Sequence, residues 1–222
     1  MARPIAIARE EKPVLFSAEK VAYWFFRLNG CLFLENFLVH NENWKKGNGT
    51  EIDLLSVRFP YRQELKLSGT EMPDHEVFGK DKMEIIFAEV KSKQPCSIND
   101  SWLNPEGKNM ERMLYIIGAI PPGEIDGAAK DLYTNKTYEA KTCRIRLFAI
   151  GADRDSDLEK GIIQLDWSNV LMFVHDRFVK YTRYKTEHEK WDDTGKNLYT
   201  MAIRLHNKPN EFAKNVIRKF IN

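Results

Sequence analysis

The segment MEIIFAEVK, residues 83–91, constrains the fold of this chain more than any other. Side chains alternate between the two faces of a β-strand. Apolar residues occupy both faces of this segment, with Met83, Ile85 and Phe87 on one and Ile86, Ala88 and Val90 on the other. Because neither face is polar, the segment is predicted to be a buried, central strand of a sheet.

The same predicted strand ends in two charged residues. Glu89 and Lys91 continue the face of Met83, so a carboxylate and an amine follow a run of core side chains. Burying an unpaired charge costs several kcal/mol. The pair is therefore expected to have a charged partner or a metal ion.

A second predicted strand, residues 51–59, supplies another carboxylate. Ile52 and Leu54 are expected on one face of this strand and Asp53 on the other. If the two strands are neighbours, Asp53 approaches Glu89, and two close carboxylates repel each other unless a proton or a cation joins them. Mg²⁺ prefers oxygen ligands of this kind.

The remaining patterns predict an α/β fold. A helix begins after Ser17, a good N-cap, and ends before Asn29 and Gly30. Further strands are expected at 31–40 and 142–150, helices at 105–118, 124–133, 167–185 and 209–220, loops at 41–49 and 60–82, and either a strand or a helix at 199–205. This order predicts a central mixed sheet flanked by helices. We expect a core at 1–155 and a mostly helical C-terminal extension at 156–222, packed on that core.

These motifs resemble those of a known group of enzymes. Asp53, followed by the triplet Glu89-Val90-Lys91 on the next strand, resembles the PD-(D/E)xK nuclease superfamily, whose core is restriction-endonuclease-like: helix, three strands, helix, strand. The segments TEIDLL and FAEVK are most similar to the motifs of archaeal-type Holliday junction resolvases and their bacterial relatives. The resemblance covers roughly residues 15–150.

The chain departs from the usual family pattern at three places. Ile52, rather than proline, precedes Asp53, and Thr50 stands where the bacterial relatives usually have glycine. About twenty residues are inserted between the second and third strands. The motifs therefore favour the superfamily over any one family within it.

The resemblance implies metal-dependent hydrolysis of phosphodiester bonds. Asp53 and Glu89 would ligate Mg²⁺, for which Mn²⁺ would substitute, and the backbone carbonyl of Val90 would be a further ligand. A bound metal polarises the phosphate and lowers the pKa of its water. Lys91 would orient that water or stabilise charge developing on the phosphate. Glu19, which matches a glutamate on the first helix of the family, would bind metal through water or complete a second metal site.

Each of these residues also has a purely structural interpretation. Asp53, Glu89 and Lys91 would form an ion pair at the end of the sheet, and Glu19 would be a helix N-terminal acid stabilised by the dipole. Acid-x-Lys triplets occur five times in the chain, but only the one at Glu89 ends a predicted buried strand. A second Glu-Ile-Asp motif, ending at Asp126, is interpreted as helix surface.

Four further residues are weaker candidates for nucleic-acid contacts. Gln94 follows the triplet and would contact phosphate or lie in a surface turn. Arg177, Lys180 and Arg183 lie where cations and aromatic residues alternate, a composition suited to gripping phosphates and stacking on bases. The same segment also fits an amphipathic helix with a solvated face.

Composition narrows the partners and the compartment. The chain has 34 Lys and Arg against 32 Asp and Glu, a net charge of +2, so it lacks a global basic field. Three widely spaced cysteines support neither a disulfide framework nor a cysteine zinc site, and they favour the cytoplasm. Neither a run of about 18 apolar residues nor a signal-peptide core occurs, so no membrane partner is expected.

Together these patterns predict a Mg²⁺-dependent nuclease, specifically an endonuclease that hydrolyses DNA. Two alternatives remain open. One is a nuclease acting on RNA or on branched junctions, and the other is a non-cutting nucleic-acid-binding protein built on a nuclease-like core. A homodimer is a plausible arrangement, because cutting both strands needs two active sites or two visits.

Overall fold

A mixed sheet of six strands organises the chain. The structure, a computed structural model, describes residues 14–40, 49–158, 160–186 and 189–221. The elements are α1 (Ala18–Leu28), β1 (Leu32–Val39), β2 (Thr50–Arg58), β3 (Met83–Val90), α2 (Asp100–Leu103), α3 (Asn109–Ile117), α4 (Ile125–Asn135), β4 (Thr137–Glu139), β5 (Cys143–Gly151), β6 (Ile163–Asp166), α5 (Trp167–Lys180), α6 (Asp193–Arg204) and α7 (Pro209–Arg218). The predicted α/β class with a mixed sheet is confirmed.

The sheet places β3 between two hydrogen-bonded neighbours. The strand order is β1-β2-β3-β5-β4, and β6 pairs with the stretch of β5 beyond β4. The strands β1, β2 and β3 are antiparallel, whereas β5 runs parallel to β3. A parallel pair needs a long crossover, which the segment containing α2, α3 and α4 supplies. Apart from its half-buried first residue, β3 is buried, as its two apolar faces predict.

Each face of the sheet has its own hydrophobic core. On one face, Ile86 and Ala88 of β3 pack with α1, α5, α6 and α7. On the other face, Ile85 and Phe87 pack with α2, α3 and α4. The apolar central part of β3 thus joins the two cores, and its charged residues lie towards its ends.

Most predicted elements are present with shifted ends. The helix predicted at 167–185 ends at Lys180, and residues 199–205 lie mainly in helix α6. The strands β4 and β6 have three and four residues, which is too short to show a periodic pattern. Because β6 pairs with β5, the chain after residue 155 contributes a strand to the sheet before its helices begin; the division into two units stays a prediction.

Some sequence predictions concern residues outside the described ranges. The loop at 41–49 falls mainly on 41–48, and the N-terminal stretch that lacks a signal-peptide core falls on 1–13. Within the described ranges, no helix combines the length and the apolar character needed to cross a membrane. The three cysteines are unpaired and buried.

The long segment 60–82 is held to the sheet by polar contacts. Its only described helix is a single 3-10 turn, Lys66–Ser68. The guanidinium of Arg58, the last residue of β2, donates to Asp74 Oδ2 at 2.6 Å and to the carbonyl of Gly79 at 2.7 Å. The fold of this insertion therefore depends on a buried arginine.

Candidate active site

The pairing of β2 with β3 brings the two predicted carboxylates together. Leu54 pairs with Ala88, so continuing the antiparallel register by one residue sets Asp53 opposite Glu89. Asp53 Oδ2 accepts a hydrogen bond from the backbone N–H of Val90 at 2.7 Å. The two strands are thus neighbours, which is the condition under which Asp53 was expected to approach Glu89.

Asp53 lies where the alternation of β2 is interrupted. Ile52 packs in the core beside α3 and α4, whereas Leu54 packs in the opposite core. The prediction that these two residues share a face is therefore wrong. The pairing of β1 with β2 passes from Glu35↔Leu54 to Phe37↔Ile52, and Asn36, the β1 residue between these pairs, has a left-handed φ of 51°. A backbone that departs from extended geometry at this point accounts for the lost alternation.

Glu89 is a buried carboxylate with incomplete partners. Its exposed fraction is 3%. Glu89 Oε2 lies 3.4 Å from Lys91 Nζ, and Oε1 is buried without a hydrogen-bond partner among the described residues. An unpaired buried carboxylate oxygen is costly, so this atom is a place where a bound cation or proton would be stabilised.

The two carboxylates disfavour each other's charge. Burial, and next the negative charge of Asp53, raise the pKa of Glu89 to about 7. Burial also raises the pKa of Asp53, although the Val90 N–H and the Lys91 ammonium act in the opposite direction. Pairs of acids with raised pKa values are frequent at functional sites.

Lys91 is positioned by its backbone and by its side chain. Its N–H donates to the carbonyl of Ile150 at 2.8 Å, and the Trp167 indole donates to its carbonyl at 2.9 Å. Its ammonium donates to Asn99 Oδ1 at 3.0 Å and reaches Glu89. The ammonium is thus held beside the carboxylates at the end of β3.

Glu19 lies near the same end of the sheet. It is in the first turn of α1, after the N-cap Ser17, and the Ser17 hydroxyl donates to its carboxylate. The negative charge of Glu19 raises the pKa of Asp53, so the two carboxylates are within electrostatic range. The position of Glu19 is therefore compatible with both interpretations, a helix N-terminal acid and a residue beside the candidate site.

Two residues of the site were not predicted from sequence. Asn99 is the N-cap residue of α2, yet its side chain makes no capping hydrogen bond and accepts from Lys91 instead. Trp102 is buried; its indole N–H donates to the Glu51 carbonyl at 3.1 Å and lies close enough to the Glu89 carboxylate to act to lower its pKa. The only sequence feature that could have indicated Asn99 is its position, because it is a polar residue just before a short helix that follows the Glu89-Val90-Lys91 triplet.

The predicted nucleic-acid contacts have different positions. Gln94 is exposed, and its carbonyl accepts from Ala152 N–H at 2.7 Å, which fixes the turn after Lys91. Lys180 and Arg183 are exposed. Arg177 is only 2% exposed, and its Nη2 donates to the Pro73 carbonyl at 2.6 Å. Assigning Arg177 to a nucleic-acid surface is therefore wrong, because segment 60–82 covers that side of α5.

The donor set suits a hard cation that keeps much of its water. No group of three or more His, Cys, Asp and Glu side chains that could hold a metal occurs in the ranges described above. Asp53 and Glu89 supply two carboxylates, and Mg²⁺ is commonly held by one or two carboxylates together with water and substrate phosphates. The unpartnered Glu89 Oε1 fits this requirement.

Comparison with known proteins adds no family at this point. No protein-family model, curated protein or solved structure matches the chain. The functional argument therefore rests on the site itself.

Proposed function

We propose that this chain is a Mg²⁺-dependent nuclease, a DNA endonuclease on a PD-(D/E)xK core. The observation that carries the proposal is the pair Asp53 and Glu89 at the end of the central strand, with Glu89 Oε1 buried and unpartnered within the described chain. The order of α1, β1, β2 and β3, followed by helices and then β5, supports the restriction-endonuclease-like interpretation.

The residues of the site have distinct proposed roles. Asp53 and Glu89 would hold Mg²⁺, with the carbonyl of Val90 as a further ligand, and Mn²⁺ would substitute. When bound, the metal would polarise the scissile phosphate and acidify a water. Glu19 would contact the metal through water.

Lys91 would act on the substrate from a fixed position. Its ammonium is held by Asn99 Oδ1 at 3.0 Å and by Glu89 Oε2 at 3.4 Å, and its side chain is 21% exposed. It can therefore reach a phosphate or an attacking water without leaving the site. A positive charge placed where negative charge develops stabilises the transition state.

Plasmid nicking tests this proposal. Purified protein is incubated with supercoiled DNA in Mg²⁺, in Mn²⁺ and in EDTA, beside the variants Asp53→Ala and Lys91→Ala. The chain offers matched controls in its own decoy motifs. Asp126→Ala changes the aspartate of the second Glu-Ile-Asp motif, which is exposed in the first turn of α4, and Lys141→Ala changes the exposed lysine of another acid-x-Lys triplet.

We expect metal-dependent nicking that both site variants abolish and both decoy variants retain. Retained DNA binding by Lys91→Ala would separate cleavage from binding. If well-folded protein cuts neither supercoiled, linear, single-stranded nor branched DNA, nor RNA, the nuclease proposal fails, and a non-cutting binding protein replaces it. Cleavage of RNA alone or of branched junctions alone would replace the DNA endonuclease with the alternative, a nuclease that acts on those substrates.

The homodimer stays a prediction. Sedimentation analysis of the purified chain, with and without DNA, measures its oligomeric state directly. A monomer that nicks one strand at a time would remove the dimer from the proposal without affecting the site.

A further inference from the structure

A cavity of about 450 Å³ lies away from the candidate active site, at the other end of β2. Arg58 ends β2, five residues after Asp53, so the two lie about 17 Å apart along the strand. The rest of the cavity is lined by segment 60–82, including Arg62, Lys66 and Lys80. Its floor and rim are therefore rich in cations.

Three arginines share Asp74, a carboxylate that lines this cavity; Arg58 and Arg62 line it too, whereas Arg177 reaches Asp74 from outside the lining. Arg58 Nη2 lies 2.6 Å from Asp74 Oδ2, and the two side chains are 2% and 6% exposed. Arg62 pairs with Asp74 Oδ1, and Arg177 Nη2 lies 3.8 Å from the same oxygen. Arg177 Nη1 is buried with no hydrogen-bond partner in the described chain. One negative charge thus compensates three positive charges.

A second carboxylate does not restore the balance. Glu64 pairs with Arg62 and also with Lys185, which adds a fourth cation. Burial, and next the positive charges of Arg62 and Arg177, lower the pKa of Lys185 to about 8. Four cations paired with two carboxylates leave an excess of two positive charges, and the lining adds Lys66 and Lys80 against one further carboxylate, Glu71.

The cavity is built around a fixed guanidinium. Gly30 has a φ of +76°, and a Cβ placed there would lie 1.9 Å from Arg62 Nε, so the absence of a side chain at this position makes room for Arg62. Lys66 and Lys80 are exposed on the cavity lining, and Tyr61, also on the lining, is 83% exposed.

We propose that this cavity is a second ligand site, which binds a phosphate monoester. A dianion matches the excess of positive charge, and guanidinium groups donate to phosphate oxygens in a geometry that suits both partners. The volume is in the range of ligand pockets, so a nucleotide fits as well as a phosphate alone. The exposed ring of Tyr61 is available for stacking on a base. The phosphate would come from a free nucleotide or from the phosphorylated end of a nucleic acid.

Binding measurements in EDTA test this site independently of cleavage. Titration calorimetry on the full chain and on Asp53→Ala uses inorganic phosphate, a 5′-mononucleotide, and one oligonucleotide with either a 5′-phosphate or a 5′-hydroxyl. The site variant is the double change Lys66→Gln and Lys80→Gln. Its control, Lys130→Gln and Lys214→Gln, removes two exposed lysines outside the cavity.

We expect saturable phosphate binding that the Lys66 and Lys80 change weakens about tenfold and the control leaves unchanged. Phosphate should also raise the unfolding temperature of the wild type. Tighter binding of the 5′-phosphorylated oligonucleotide identifies a nucleic-acid end, and tighter binding of the mononucleotide identifies a free nucleotide.

Two results would overturn the proposal. One is the absence of saturable binding by any phosphate monoester at millimolar concentration. The other is an equal loss of phosphate affinity in the cavity variant and in the control variant, which would show that the effect depends only on the overall charge of the protein. Because EDTA prevents metal-dependent cleavage, a failure to bind phosphate would not affect the nuclease proposal. Conversely, the loss of nicking in Asp53→Ala would not affect the proposed phosphate site.

Discussion

Two buried glutamates on the central strand β3 have very different charged neighbours. Glu84 and Glu89 are 0% and 3% exposed. Glu84 Oε1 lies 2.6 Å from Arg146 Nη2 and 3.7 Å from Arg144 Nη1. Glu89 has one lysine at 3.4 Å and faces a second carboxylate. Neither Glu84 oxygen makes a hydrogen bond within the described chain, so charge is what separates the two arrangements: two arginines lie beside Glu84, whereas a second carboxylate lies beside Glu89.

The same contrast extends to the surroundings of each glutamate. At the Glu84 end of the β2–β3 pair, Arg58, Arg62 and Arg177 share the carboxylate of Asp74, and they anchor segment 60–82. Near Glu89, carboxylates outnumber the nearby cation. The two ends of the β2–β3 pair thus have charge imbalances of opposite sign. The excess of carboxylates at the Glu89 end motivates the proposed cation site, and the excess of arginines at the Glu84 end motivates the proposed anion site.

Removing the shared carboxylate of the arginine cluster should have the largest effect. Asp74→Asn leaves three buried or half-buried arginines without their common negative partner. We expect the free energy of unfolding to fall by about 3–5 kcal/mol. Urea unfolding followed by circular dichroism measures the change. As a control, Asp81→Asn breaks an exposed pair with Arg144 and should change stability far less; comparable losses in the two variants would contradict the importance of burial.

Replacing Lys91, at the Glu89 end of β3, should reduce cleavage rather than the stability of the fold. Lys91→Met keeps most of the length of the side chain but removes the charge that is held beside Glu89 and Asn99. We expect cleavage to fall about 10²–10³-fold, while DNA binding and the unfolding temperature change little. Single-turnover nicking with saturating protein measures the rate, with Lys130→Met as the exposed control. Cleavage at the wild-type rate would exclude Lys91 from the reaction.

Neutralising the two glutamates should have opposite effects on the metal-free protein. At about pH 8, Glu89→Gln removes an ionised carboxyl that burial and Asp53 disfavour, and we expect stabilisation on the order of 2–3 kcal/mol. Glu84→Gln removes the partner of Arg146 and should destabilise the protein. Thermal unfolding in EDTA compares the two variants, and a change of the same sign in both would remove the contrast between the two ends.

The pH dependence of the Glu89 effect has a defined direction. The folded-state pKa of Glu89 is about 7, raised above its ordinary value of 4.5. Its contribution to stability is therefore fully present below about pH 4.5 and is lost as the pH rises through about 7. The advantage of Glu89→Gln should disappear near pH 4, and Mg²⁺ should stabilise the wild type at pH 8 but not this variant. An advantage that does not change with pH would contradict the raised pKa.

Loss of the contact that positions Lys91 should have the smallest effect. Asn99→Ala removes the acceptor at 3.0 Å from Lys91 Nζ but leaves Glu89 in reach. We expect cleavage to fall only about three- to tenfold. Asn104→Ala is a matched control, because the Asn104 side chain accepts from Glu106 N–H and caps a neighbouring turn. Equal rates for these two variants would remove Asn99 from the site.

Much of the candidate site could be predicted from local pattern. A strand with two apolar faces is central, and the residues that follow its apolar part lie at the end of the sheet, so the positions of Glu89 and Lys91 could be predicted from the sequence alone. The face of Ile52 could not be predicted, because it depends on a left-handed residue in the neighbouring strand. Asn99 was missed because its contact with Lys91 crosses between two elements.

The sequence by itself determined the α/β class, the central strand and the two carboxylates, because alternation and apolar runs are local properties of the chain. Only the tertiary structure decided which charges are compensated. Arg177 and Lys180 lie on one helix, yet the fold buries the first under segment 60–82 and leaves the second in solvent. Ion pairs such as Arg58 with Asp74 join distant residues, and their strength depends on burial that no local pattern encodes.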